Sequence, residues 1–164
     1  MPTKILLSGA KGRMGQAISS IATEHDCDVT IPIDINDDPN ERMNECDVVI
    51  DFSLHDATLP LALAAATHQK PMVIGTTGHS QSDRDQITSL TESIPIIWAG
   101  NFSTGVNLLF YLTQKASKVL DQNSDFDPEV IEMHHRLKQD APSGTADRLL
   151  EILQESRSLG KSDI

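Results

Sequence analysis

Aromatic side chains are scarce. One Trp, one Tyr and four Phe make up 4% of the 164 residues, too few for the stacking platforms on which single-stranded nucleic acid binds. Basic residues are also in the minority. Thirteen Lys and Arg stand against 24 Asp and Glu, a formal net charge of −11 that repels phosphate backbones and anionic lipid surfaces at long range. Neither nucleic acid nor a membrane is expected as a partner. No apolar run approaches the roughly 20 residues of a membrane span. The N-terminus, M-P-T-K-I-L-L-S-G, enters a strand pattern directly, with no charged leader, apolar stretch and small-residue cleavage site of a secretory signal. A soluble, cytoplasmic protein is expected. Its two cysteines, Cys27 and Cys46, have no C-x-x-C spacing and read as small buried hydrophobes in a reducing compartment.

What is present is alternation. Short apolar runs such as K-I-L-L-S, D-V-T-I-P-I-D, C-D-V-V-I-D-F, P-M-V-I-G and I-P-I-I-W-A are separated by helical or Ala- and Leu-rich stretches. That order predicts a parallel sheet with crossover helices, an α/β, Rossmann-like domain. Pro71 and Pro95 stand just before strand runs, where a missing N–H does least harm, and Ser80 with Asp83 makes a capping pair for the helix that follows. The strict alternation stops near Asn101 to Gly105, which divides the chain into residues 1–103 and 104–164. Beyond it come a long amphipathic helix, a strand expected over Glu129 to His135, and a last helix.

The run Ser8-Gly9-Ala10-Lys11-Gly12-Arg13-Met14-Gly15 follows the first strand and opens the first helix. Its G-x-x-G-x-x-G spacing allows a tight turn and lets backbone N–H groups approach a pyrophosphate at a helix N-terminus. The plainer alternative is a glycine turn needed only for strand-to-helix packing. About 20 residues beyond the last glycine stands Asp34, at the end of the second strand, where a carboxylate accepts hydrogen bonds from ribose hydroxyls. Lys11 and Arg13 lie near enough to pair with a 2′-phosphate, so NADH and NADPH both stay open. G-T-T-G (Gly75 to Gly78) and A-G-N-F-S (Ala99 to Ser103) also end strands, and suit either the nicotinamide end of such a cofactor or ordinary turn chemistry.

Within E-M-H-H-R-L-K-Q-D-A-P-S-G-T-A, Glu132 to Ala146, two histidines, an arginine and a lysine occupy five consecutive positions. On a strand, Val130, Glu132 and His134 share one face, so for His134 and His135 to reach one ligand the strand must end near His135, with Arg136 to Gln139 a loop. A helix start follows, its free N–H groups flanked by the hydroxyls of Ser143 and Thr145. A cationic loop and a helix N-terminus this close suit a small dianion, with histidine and lysine able to move protons. The alternative is a solvated basic loop. The His-His spacing fits no zinc pattern, and His25, His55, His68 and His79 are expected as solvated side chains or caps.

Taken together, G-A-K-G-R-M-G, V-I-D-F-S, V-I-G-T-T-G, A-G-N-F-S-T-G-V-N and E-M-H-H-R-L-K-Q-D-A-P-S-G-T-A resemble the 4-hydroxy-tetrahydrodipicolinate reductase (dihydrodipicolinate reductase) family of lysine and diaminopimelate biosynthesis, from Lys4 to at least Ala146. The resemblance implies an NAD(P)H-dependent reductase of a cyclic dicarboxylate imine. It places His134 as proton donor and acceptor, Lys138 as proton donor, and His135, Gly144 and Thr145 on the substrate, next to the Ser143 read from the helix start. It places Gly9, Ala10, Lys11, Gly12, Arg13, Met14, Asp34, Gly75, Thr76, Thr77, Ala99, Gly100, Asn101 and Phe102 on the cofactor. It further implies that residues 104–164 form part of an α+β substrate domain whose open sheet builds a homotetramer. Chains of the family are longer, and this one ends after that domain's first strand and helix. The expectation is therefore a fragment in which the strand near Val130 keeps an open edge, the tetramer is not completed and activity is impaired. The rivals are a non-catalytic dinucleotide-binding module or sensor and a structural interaction protein.

Overall fold

The computed structural model describes residues 1–34, 37–121, 126–134, 136 and 142–157. They fall into two compact units, Met1–Ala99 and Gly100–Ile164.

In the first unit five strands form one parallel sheet: β1 (Thr3–Ser8), β2 (Cys27–Ile33), β3 (Val48–Asp51), β4 (Met72–Ile74) and β5 (Ile96–Trp98), in the spatial order β2-β1-β3-β4-β5. Helices α1 (Arg13–Ile21), α2 (His55–Thr67) and α3 (Gln81–Ser89) make the crossovers. The chain leaves β1 toward β2 on one side and then returns to β3 on the other. The direction of winding therefore reverses at β1, the place where ligands settle outside the carboxyl ends of such sheets.

Register decides what meets there. Ser8 pairs with Ile33 and Asp51, Asp51 with Ile74, and Ile74 with Trp98. All five strands thus end in one row, and the segments beginning at Gly9, Asp34, Phe52, Gly75 and Ala99 leave the same edge. The prolines before β4 and β5 act only as acceptors, taking Val49 N–H at 3.0 Å and Met72 N–H at 2.9 Å at positions where a donor is not needed.

Alternation along the strands sorts the core. Leu6, Ile31, Val49, Met72 and Ile74 cluster with Leu61, Ala62 and Ala65 of α2 and Ile87 of α3. The alanines let α2 lie close against the sheet. Ile5 and Leu7 are buried on the opposite face. Asp51 takes a place on the cluster's side of β3 and is fully buried. Cys46 is buried and Cys27 half-buried, both as free thiols, and burial pushes the Cys46 thiol up. Ser80 caps α3 as expected: its Oγ accepts Asp83 N–H at 3.1 Å and donates to the Asp83 carboxylate at 2.7 Å. No helix among the described residues is long and apolar enough to cross a membrane.

The second unit contains α4 (Thr104–Leu120), capped by Ser103 Oγ at Val106 N–H (3.4 Å), and α5 (Gly144–Arg157). The strand expected over Glu129–His135 does not form across 126–134. A β-ladder needs a partner for its N–H and C=O groups, and no described residue of this unit supplies one. Ile131 and Met133, which would lie on the far face from Glu132, are 83% and 92% exposed. Arg136 lies in a turn, while His135 and the rest of the expected loop fall outside the described residues.

Candidate active site

Gly9 has φ +78°, and a Cβ there would stand 2.3 Å from the Phe52 carbonyl oxygen. A Cβ on Gly15 would meet the Gly9 carbonyl oxygen at 2.3 Å. The turn therefore needs both glycines for packing alone. Its N–H groups are also largely committed. Gly9 and Ala10 donate to the Ile33 carbonyl at 3.0 and 3.4 Å, and Gly12 donates to the Gly9 carbonyl at 2.9 Å. Lys11 N–H goes to Asp34 Oδ2 at 3.2 Å, and Lys11 Nζ lies 3.8 Å from the same oxygen. The N–H groups of Arg13 and Met14, in the first turn of α1, have no acceptor among the described residues. Gly12 gives that helix no side-chain cap, and no acid stands in its first turn. The positive end of its dipole is thus open to an anion.

The next two loops are tied together by Asp51. Its Oδ1 accepts from Ser53 Oγ–H and, at 3.1 Å, from Ser53 N–H, and its Oδ2 accepts from Thr58 Oγ1 at 2.7 Å. Ser53 N–H also reaches Thr76 Oγ1 at 3.0 Å, and Gly75 N–H donates to the Asp51 carbonyl at 2.8 Å. Thr76 is buried and Thr77 exposed. A Cβ on Gly75 would lie 2.2 Å from the Phe52 ring. Ala99 N–H donates to the Ile74 carbonyl at 3.1 Å. Gly100, Asn101 and Phe102 begin the second unit, where Asn101 Oδ1 accepts Ser103 N–H at 2.7 Å and its carbonyl accepts Asn107 Nδ2 at 3.1 Å; Phe102 is exposed.

Three of the four remaining histidines sit at helix ends: His25, His55 and His68. His79 departs from expectation. It is buried, its ring meets Trp98 edge-on at 5.0 Å, and neither ring nitrogen has a hydrogen-bond partner. Burial, then the nearby Arg84 guanidinium, pushes its pKa down. A neighbour as distant in sequence as Trp98 cannot be read from the run G-H-S.

In the second unit Ser143 starts α5: its Oγ accepts Ala146 N–H at 3.1 Å and its carbonyl accepts Asp147 N–H at 2.8 Å. Glu132 closes on it. The carboxylate accepts Ser143 N–H at 3.0 and 3.3 Å and lies 2.6 Å from His134 Nε2 through Oε2. Glu132, His134, Ser143 and Thr145 line a cleft of about 530 Å³ together with Ile131 and Leu149. The anion at Ser143 is thus the chain's own carboxylate. Gly144 and Thr145 N–H have no acceptor among the described residues, and neither has the Thr145 hydroxyl. His135 and Lys138 lie outside the described residues. No group of His, Cys, Asp or Glu among the described residues is placed to hold a metal ion.

Residues 3–102 match the family model described as dihydrodipicolinate reductase, N-terminus, and residues 105–164 match its C-terminus counterpart. The chain belongs to the dihydrodipicolinate reductase family. It is 49% identical over 150 residues to the 4-hydroxy-tetrahydrodipicolinate reductase of Akkermansia muciniphila, covering 91% of this chain and 60% of that protein. With the 4-hydroxy-tetrahydrodipicolinate reductase of Campylobacter jejuni the identity is 43% over 157 residues, covering 95% of this chain and 64% of that protein. The chain therefore spans less than two thirds of the length of these curated relatives. A solved structure, dipicolinate-bound dihydrodipicolinate reductase from Paenisporosarcina sp. TG-14, shares the fold with a TM-score of 0.74 at 24% identity, covering 96% of this chain and 67% of that one.

In this reductase-family chain two carboxylates that the motifs gave no role, Asp51 and Glu132, each hold several hydrogen bonds. Each hint was present: Asp51 closes an apolar strand run and is followed by Ser53 and Thr58, and Glu132 stands two positions before His134. The Ser143 and His134 hydrogen bonds hold the Glu132 carboxyl down from its ordinary 4.5 to about 2. A depressed pKa stabilises the folded state above the unfolded value, and that contribution fades as pH falls through the folded one. Helix α5 is thus expected to lose amide protection between pH 4.5 and about 2, and Glu132→Gln to flatten that portion of the profile. Hydrogen exchange followed by NMR across this range checks it; an unchanged profile in the variant contradicts the assignment.

Proposed function

We propose that the chain carries out the NAD(P)H-dependent reduction of 4-hydroxy-tetrahydrodipicolinate to tetrahydrodipicolinate. The observation that carries the reading is the match to both halves of one reductase family, in order, across residues 3–102 and 105–164. The turn after β1 fits a dinucleotide. Its helix N-terminus is free of acids and caps, and Asp34 stands beside it with an acceptor for ribose hydroxyls. Lys11, 3.8 Å from Asp34 and with its side chain 88% exposed, can turn to a 2′-phosphate, so both reduced cofactors are accommodated. The loops at Gly75 to Thr77 and Ala99 to Phe102 serve the nicotinamide end.

When bound, the cofactor supplies a hydride. The chain's own residues do the rest. Gly144 and Thr145 N–H with the Thr145 hydroxyl hold one carboxylate of the cyclic diacid at the start of α5. His135 and Lys138 complete the cationic side, and His134 and Lys138 exchange the proton. In balance, one hydride and one proton enter the ring system and one water leaves.

Fluorescence titration with NADH and NADPH, mass determination of the same sample and a steady-state assay with the hydroxylated substrate test this together. Cofactor binding with substrate-dependent NAD(P)H oxidation supports the reductase. Tight NADH binding without turnover instead identifies a dinucleotide-binding module, and no binding of either cofactor removes the reading altogether.

A further inference from the structure

Resting on the reductase reading, we infer that Glu132 is a positioning residue that fixes the proton of His134 on Nε2 and joins the imidazole to the N-terminus of α5. The geometry is specific. One carboxylate touches both partners, His134 Nε2 at 2.6 Å and Ser143 N–H at 3.0 Å. The side chains are only 24% and 34% exposed for Glu132 and His134. An ionised carboxylate is an acceptor only, so the ring nitrogen facing it carries hydrogen. Nδ1 is then the nitrogen left to exchange a proton. When it is protonated, the resulting imidazolium has its counter-charge already in place, as in other carboxylate–histidine pairs.

The second half of the contact matters equally. By taking Ser143 N–H, Glu132 leaves Gly144 and Thr145 as the donors for a substrate carboxylate. The proton-exchanging ring and the anion-holding helix turn are therefore held by one side chain. The depressed Glu132 pKa is consistent with this double engagement.

Glu132→Gln separates positioning from bulk. An amide of the same size has one acceptor and one donor end. If its oxygen keeps Ser143 N–H, its NH2 faces His134 Nε2, which must then accept, and the ring proton moves to Nδ1. Long-range 1H–15N correlation spectra of the imidazoles, recorded near pH 8.5 where an unperturbed histidine is neutral, read this directly. His134→Gln identifies the His134 signals by their loss. The expected result is Nε2–H in the wild-type chain and Nδ1–H in Glu132→Gln, with kcat down about 10- to 100-fold and NADH affinity unchanged.

Wild-type His134 found as the Nδ1–H tautomer overturns the inference without any variant. So does the same tautomer in both proteins. The tautomer is read without substrate, so a shift in a wild-type chain that does not turn over leaves the positioning role standing and removes the reductase reading. Turnover with no difference between the two proteins does the reverse.

Discussion

Alanine in place of His134 is expected to lower turnover by about 10²- to 10⁴-fold, the usual range for removing a positioned proton-transfer group. NADH affinity should stay within about twofold of wild type, since 1 kcal/mol would be needed to move it roughly fivefold and the glycine turn, Asp34 and their hydrogen bonds are left intact. If His134 exchanges the proton as proposed, the loss should fall mainly on kcat. Steady-state kinetics beside a fluorescence titration separates the two quantities. A variant with wild-type kcat would mean that His134 is a cleft-lining side chain only, and the proton route would have to be sought elsewhere in the cationic segment.

Asp51→Ala should be strongly damaging to the first unit. The carboxylate is fully buried and receives Ser53 Oγ–H, Ser53 N–H and Thr58 Oγ1–H. Removing it leaves those donors short of an acceptor inside the fold. Leaving buried donors unsatisfied costs about 1–3 kcal/mol each, and a total near 2–4 kcal/mol allows for Ser53 N–H retaining Thr76 Oγ1. For a chain of this length that corresponds to a fall in Tm of roughly 5–15 °C. Asp51→Asn, which keeps one acceptor, should lose less. Thermal unfolding followed by circular dichroism decides it: a Tm within 2 °C (about 0.5–1 kcal/mol) of wild type for the alanine variant would show that the buried carboxylate is not a fastening point.

The first unit was legible because its signals are local and agree. Apolar runs of strand length, prolines placed where no donor is wanted, the Ser80 cap and the glycines at a strand-to-helix turn each point to the same sheet. Asp34 could be placed by spacing alone, since the sheet's register brings the end of β2 beside the end of β1. What stayed hidden depends on distant partners. Asp51 reads as one more acid in an acidic chain until Thr58 and Thr76 surround it, and His79 reads as a loop residue until Trp98 covers it.

The second unit divides differently. V-I-E-M-H has strand propensity, yet a ladder requires a neighbour that propensity cannot supply, and the segment 126–134 is not a strand. Glu132 and His134, expected on one face of that strand, meet through their side chains without the strand. The second partner of that acid was not legible, because Ser143 comes eleven positions later in the sequence.

Position 75 and the ring of Phe52 lay claim to the same volume, since a methyl on Gly75 would fall 2.2 Å from the ring edge. The two sites consequently inherit one shared constraint. A side chain at the first requires the ring at the second to swing away or to be replaced by something smaller. Variation there should come as matched replacements, so that a bulkier residue at 75 is found beside something smaller than phenylalanine at 52.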